Sequence, residues 1–395
     1  MNQCLPNPHD GAGACRRPME LTRRDVLRAL AAALLAGGAA AAGPPRAAVS
    51  WSRETHPGPG PKGAVCLRDG TVLCARTVGV PDGVLVECMR SSDGARSWSK
   101  VSTIAARPPG ADVGDGCIVA MPDGRVLYSY RDNRGAGAAV AYAIRVAVSV
   151  DRGVTWAPHS TVATGSGETG GLWSSFLLDS RSGLQCYYDD ERSPWEAGFQ
   201  RHQWLTLRTW DPDSGAWVRP VTVSRAHDPA HLSRDGSAAI VEMPDGRLLC
   251  VLESVDVRPP HCGVVLAVTS ADGGRTWSWQ ERERGLVYQP ADRRFGAFCP
   301  WIVRVGPSRI VCVFGLNEGR DKPYAPGTPP ADLGLDVACV ESDDAGHTWS
   351  APTIVYAGTH RNALPGVFAV GERADRLVCQ WVDADKGFLT CEGRP

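Results

Sequence analysis

The chain has no run of basic residues, and its 42 lysines and arginines stand against 43 aspartates and glutamates. A phosphate-rich partner requires a basic face, so nucleic acid is excluded as a ligand. Beyond the N-terminal region no apolar stretch approaches the roughly 20 residues of a membrane-crossing helix. No Gly-rich loop ends in Lys-Ser or Lys-Thr, the pattern that cradles nucleotide phosphates. No Gly-x-Ser-x-Gly elbow is present either, which argues against an α/β-hydrolase serine. The close pair His227 and His231 is interrupted by Pro229, which forbids the helix that would align both rings on a zinc ion. Neither a metal nor a cofactor is expected.

The N-terminus is a different kind of sequence. Thr22-Arg23-Arg24-Asp25-Val26-Leu27 resembles a twin-arginine export consensus, and the Ala-rich run from Ala29 to Ala42 has the length of a signal h-region. Residues 1–45 are therefore assigned to an export signal with cleavage near Ala40-Ala41-Ala42, and translation is expected to start at Met19. The mature protein would be periplasmic or secreted, monomeric and free of the membrane.

Residues 46–395 carry a repeat. A turn followed by a β-rich run recurs six times, ending at Cys74, Tyr128, Cys186, Cys250, Cys312 and Cys379, at spacings of 54, 58, 64, 62 and 67 residues. Three copies read Asp-Gly-Arg followed by apolar residues or nearly so, as in Asp245-Gly246-Arg247-Leu248-Leu249-Cys250, and Asp-Gly is a tight hairpin signal. A period of this length fits a four-stranded blade that cannot bury its own faces, and six copies imply a closed ring. The fold expected is all-β, a six-bladed β-propeller of four-stranded antiparallel blades. Blade six has room for only three strands before Pro395, so the segment around Val49 to Arg53 is expected to supply its outer strand and spare the ring an open edge.

A second repeat runs in register with the first. Ser149 to Trp156, Ser270 to Trp277 and Ser342 to Trp349 share Ser-x-Asp-x-Gly-x-Thr-Trp, Ser91 to Trp98 is a close variant, and Thr209 to Trp217 is a worn one. These segments resemble the Asp boxes of the sialidase, or BNR-repeat, superfamily. Their residue types suit a structural turn: Asp and Ser satisfy turn amides, Gly takes a positive φ and Trp packs on the blade edge. Fourteen cysteines in an exported protein invite disulfides. Yet Cys74, Cys186, Cys250, Cys312 and Cys379 occupy one equivalent position, and facing sheets lie about 10 Å apart, beyond disulfide reach. They are expected to be free, buried fillers, with a Cys250–Cys262 bridge left open.

With the Asp-Gly turns on one face of the ring, the start of each inner strand and the end of each second strand reach the other. Those windows hold Arg76 and Asp82, Arg131, Asp189, Glu191 and Arg192, and Glu253, together with Asp115, Trp173, Asp235, Trp301 and Arg361. Carboxyl pairs, guanidinium groups and aromatic faces are the ingredients of a glycosidase site. The superfamily resemblance implies an arginine triad with an Asp acid/base and a Tyr nucleophile. Arg76 and Asp82 have a matching spacing, but Pro61-Lys62-Gly63 stands where an arginine motif belongs, and Asn362-Ala363-Leu364-Pro365 holds no Tyr.

Secreted exo-glycosidases of the exo-arabinanase group are more similar. They carry segments like Gly171-Leu172-Trp173 leading to Tyr187-Tyr188-Asp189-Asp190-Glu191, and Arg234-Asp235-Gly236 leading to Glu253. That resemblance implies two catalytic Glu residues; Glu253 keeps the second place and Ser174 occupies the first. The resulting expectation is an exo-acting glycoside hydrolase on a glycan or oligosaccharide. Glu253, Asp189 and Asp82 are its acid/base candidates, with Asp235 and Glu191 in reserve. Arg76, Arg131, Arg192, Asp115, Trp173, Trp301 and Arg361 would bind substrate. A non-catalytic glycan-binding propeller and a uronate-directed lyase are the alternatives.

Overall fold

Turn chemistry organises the chain into blades. A computed structural model describes residues 47–135, 139–192, 198–199, 202–228, 233–256, 263–320, 334–371 and 375–395. The expected export signal, His231 and Cys262 lie outside them. The strands pair antiparallel into six sheets, one per repeat, and form a six-bladed β-propeller.

From the inside outward, blade one runs Ala64–Cys66, Val72–Val80, Gly83–Ser91 and Ser99–Arg107. In blade two the inner strand is split into Asp112–Gly114 and Ile118–Ala120, both pairing with Val126–Asn133, and Ala141–Ser149 and Ala157–Ser166 follow. Blade three is Leu172–Ser180, Gly183–Asp190, Trp204–Asp211 and Val221–Ser224; blade four is Ser233–Glu242, Leu248–Asp256, Gly263–Ser270 and Gly285–Tyr288. Blade five contains Ala297–Arg304, Ile310–Leu316, Asp336–Ser342 and Thr353–Tyr356. Blade six has Asn362–Val370, Arg376–Asp383 and Gly387–Arg394, and its fourth strand is Ser50–Trp51, paired as Ser50↔Arg394 and Trp51↔Gly393. His56–Pro57 pairs further along the same strand. The ring is thus closed by the N-terminal segment, as the missing strand of blade six requires.

The Asp-Gly turns hold their shape through the aspartate. The amides of Thr71, Arg125 and Arg247 donate to Asp69, Asp123 and Asp245 at 3.0, 3.0 and 2.9 Å. The Ser-x-Asp turns repeat one network four times. The serine hydroxyl accepts the amide of Ala95, Gly153, Gly274 or Gly346 at 2.8 Å, and the aspartate accepts the amide and hydroxyl of the residue before Trp, as Thr276 does with Asp272. Glycine serves twice at these positions. Its φ is +82° to +93° in three turns, and a Cβ would strike the preceding blade, 2.9 Å from Cys88 Sγ at Gly153 and 2.6 Å from Leu249 at Gly346. Only the seam between blades six and one leaves space for a methyl, Ala95 at φ +68°.

Between the blades the core is apolar packing, one large cluster running through blades three to six and smaller ones at the seams of blades one and two, two and three, and six and one. Cys74, Cys186, Cys250, Cys312 and Cys379 are all fully buried and free, at the same register in five of the six sheets. Small, weakly polar thiols fit this layer because each second strand is covered on both faces.

Candidate functional site

The inner strands do not run straight to the channel. Four carry a register shift where one would otherwise expect even pairing, between Leu172 and Ser175, Gly236 and Ala239, Phe298 and Trp301, and Ala363 and Gly366. In blade two the corresponding break splits the strand around Asp115. Such bulges leave one residue outside the ladder and re-aim its side chain. Here Lys62, Asp115, Ser237, Cys299 and Leu364 sit at φ values of +60°, +52°, +45°, +50° and +50°. Non-glycine residues in this region cost about 1–3 kcal/mol each and gather at functional sites. All five line one cavity of about 520 Å³ at the channel mouth, together with Arg76, Tyr128, Arg131 and Phe388.

A bulge also frees a backbone amide, which a buried site must satisfy. Two carboxyls do so from the preceding blade. Asp189 accepts the Ser237 amide at 3.1 and 3.2 Å, and Glu253 Oε2 accepts the Cys299 amide at 2.7 Å. Both acids stand three residues after the buried cysteine of their blade. The propeller therefore uses the same register position twice to hold the neighbouring bulge.

Electrostatics divide the carboxyls into two classes. Burial works to raise the pKa of Asp115, but the charges of Lys62 and Arg131 and a hydrogen bond from Ser174 overcome it and hold the carboxylate well below the usual range. Lys62 makes an ion pair with Asp115, and Arg131 reaches Asp115 Oδ2 at 2.5 Å and Asp112 at 2.8 Å. Ser174 Oγ donates to Asp115 at 2.6 Å. Asp189, 4 % exposed, is pushed by burial up to about 8 against the pull of Lys62 and the Ser237 amide. Burial also raises Glu253, opposed by the Cys299 hydrogen bonds, Lys62 and Arg234. Near neutral pH an ionised Asp115 thus stands against an Asp189 that retains its proton, with Glu253 shifted in the same upward direction as Asp189, the divergence from which acid and base roles are built.

Other predicted residues are placed elsewhere. Arg76 lines the cavity, bridged to Glu87 at 2.9 Å and stacked over Phe388. Asp82 is exposed at the turn between two strands of blade one, away from the cavity lining. Asp235 is fully buried, accepting from Arg284 and from Ser224 of blade three at 2.6 Å, so its oxygens are taken between blades three and four. Glu191 is taken by Arg234, and Arg192 by Asp190 at 2.5 and 2.8 Å. Trp173 packs edge-on against Tyr142. Trp301 is buried in the core against Phe176, and Arg361 pairs with Asp385 at the rim.

Lys62, only 6 % exposed, was not singled out from sequence. One pattern marks it. Four of the five left-handed residues precede Gly or Pro, as Lys62-Gly63, Asp115-Gly116, Cys299-Pro300 and Leu364-Pro365. A larger recess of about 610 Å³ lies at the ring closure beside Trp51. Its acids are an exposed Glu54 and a Glu392 paired with Arg376, so it lacks the channel's charge pattern.

No family model and no curated protein matches the chain. Among solved structures, it is similar to an α-L-arabinofuranosidase of Fusarium graminearum, at 18% identity over 84% of this chain and 91% of that one, with a TM-score of 0.60. An α-L-arabinanase of Penicillium chrysogenum shares 17% identity over 85% and 92% of the two chains, with a TM-score of 0.58. A protein of unknown function from Dyadobacter fermentans shares 15% over 88% and 99%, with a TM-score of 0.59. At these identities the likeness is one of fold.

Proposed function

We propose that the protein is an exported, exo-acting glycoside hydrolase that cleaves a terminal sugar bound in the channel mouth. The observation that carries this reading is a set of three acids with opposed environments around one cavity, Asp115 in its lining and held ionised, Asp189 and Glu253 bonded to the amides of the lining residues Ser237 and Cys299 and held toward the protonated form. Glycoside hydrolysis needs an acid to protonate the leaving oxygen and a carboxylate to stabilise or attack the anomeric carbon. Glu253, still partly open to solvent, is the proton donor in this reading and Asp115 the ionised partner. Asp189 is a protonated neighbour that orients the Ser237 bulge. Arg76, Arg131 and Lys62 supply donors to sugar hydroxyls. A fold shared with an arabinofuranosidase and an arabinanase supports a glycan as the ligand.

A second reading rests on one specific contact. Glu253 and Asp189 both accept the amide of the next blade, which is work that a non-catalytic glycan-binding propeller would also require. Hydrolysis of a panel of aryl glycosides, including sialosides and arabinofuranosides, separates the two. Activity reduced about 10²–10⁴-fold by Glu253→Gln, with folding intact, supports the hydrolase. Silence across the panel with calorimetric sugar binding retained selects the binding module.

A further inference from the structure

Between blades one and two the channel face carries a charge imbalance that the hydrolase does not use. Three guanidinium groups converge on one carboxylate. Arg107 reaches Asp132 at 2.8 and 2.9 Å, Arg134 at 2.9 and 2.6 Å, and Arg145 at 2.6 Å. The Asp132 side chain is fully buried, whereas those of Arg107, Arg134 and Arg145 are 19%, 46% and 39% exposed. No second acid among the described residues pairs with any of the three. One negative charge therefore serves three positive ones, in a protein whose net charge is −1.

Like charges held this close repel, and an arrangement of this kind is relieved by a second anion. Donors remain for one. Arg107 donates its third group to the Ala106 carbonyl and Arg145 one to Thr161, while Arg134 Nη1 and Arg145 Nη2 have no partner among the described residues. Planar guanidinium forks suit tetrahedral and carboxylate oxyanions, which accept two parallel hydrogen bonds. The place is also informative. Asp132 follows Arg131 in the chain, and Arg131 lines the channel cavity, so the two sites lie on opposite faces of one strand near its channel end.

We propose that Arg107, Arg134 and Arg145 form a subsite for an oxyanion, a sulfate ester or carboxylate carried by a sugar next to the one held in the channel. The identity of the saccharide rests on the hydrolase reading; the capture of an oxyanion does not. The channel itself is balanced, since Lys62, Arg76 and Arg131 all have carboxylate partners. The anionic group thus belongs at the rim and the cleaved sugar is bound through its hydroxyls.

The experiment is calorimetric titration of the mature protein with inorganic sulfate at constant ionic strength, repeated with Arg134→Gln, Arg145→Gln and Arg134→Lys. Saturable binding is expected, weakened about tenfold by each Gln variant, the loss expected for a charged hydrogen bond, and less by Lys, which keeps the charge without the fork. Arg107 continues to hold Asp132 in every variant, so folding is retained and is checked by circular dichroism. Titration with a sulfated monosaccharide and with a uronic acid tells the two sources of oxyanion apart. Absence of saturable binding, or variants that bind as the wild type does, overturns the subsite. Sulfate binding that depends on Arg134 and Arg145 in a protein inert to every glycoside leaves the subsite standing and removes the hydrolase.

Discussion

Asp189→Asn isolates the cost of keeping a proton on a buried acid. In the folded protein burial pushes Asp189 up to about 8, from a value of 3.8 for the unperturbed side chain. Between those values the folded state holds a proton that the unfolded state has released, so stability falls as pH rises through the window. Each pH unit is worth about 1.4 kcal/mol, which makes the contribution of this one group roughly 3 kcal/mol between about pH 5 and 7. Asparagine cannot ionise, yet its Oδ1 can still accept the Ser237 amide. Asp115 and Asp132 are held below the usual range and titrate under the window, and their contributions cancel in the comparison. Urea midpoints for both proteins at several pH values are the assay. The expected result is a variant whose advantage over the wild type grows with pH, by about 3 kcal/mol over those two units. Parallel curves would refute the reasoning, because Asp189 would then ionise in the folded protein as readily as in the unfolded chain.

Lys62→Met leaves Arg131 as the one cation paired with Asp115 among the described residues and should cost about 3–5 kcal/mol, the price of breaking a buried pair, with Lys62→Met/Asp115→Asn recovering most of the loss in denaturant titrations. Ser270→Ala removes the hydroxyl that accepts the Gly274 amide and donates to Asp272, and a shift of about 1–3 kcal/mol in unfolding is expected. Under native conditions a thiol reagent should modify Cys66 quickly and Cys299 slowly. The other described cysteines are buried and should react only after unfolding; rapid native reaction of Cys250 or Cys312 would contradict the packing.

The repeats made the ring legible because every blade spells the same turn. Asp69-Gly70, Asp123-Gly124 and Asp245-Gly246 set the hairpins, and the equivalent cysteines mark one buried layer. Counting strands in blade six also located the closing segment, since an unpaired edge is costly. The site was legible in part. Arg131, Asp115, Asp189 and Glu253 fall in the windows that the topology selects. Which neighbour in a window faces the channel was not legible, because adjacent side chains of a strand point to opposite faces. Asp189 holds the next bulge while Asp190 holds Arg192. On the inner strands the bulge adds a further shift, so Arg234 and Asp235 turn into pairs with Glu191 and Arg284 and Ser237 takes the channel position. Lys62 was hidden for the same reason, as a residue whose direction depends on a left-handed backbone rather than on alternation.

The pairing of Ser50 with Arg394 ties the fold to the timetable of protein synthesis. The strand made first among those of the ring finds its partner only when Gly387–Arg394, the last strand of the ring, has been made, so five blades wait until then with two open edges. Pairing of such distant segments is slow, and the unclosed intermediate exposes strand edges to aggregation. A premature stop anywhere in the final repeat therefore removes more than one blade's worth of packing: it strands the N-terminal segment and turns a closed cylinder into an arc that proteases and other chains can reach.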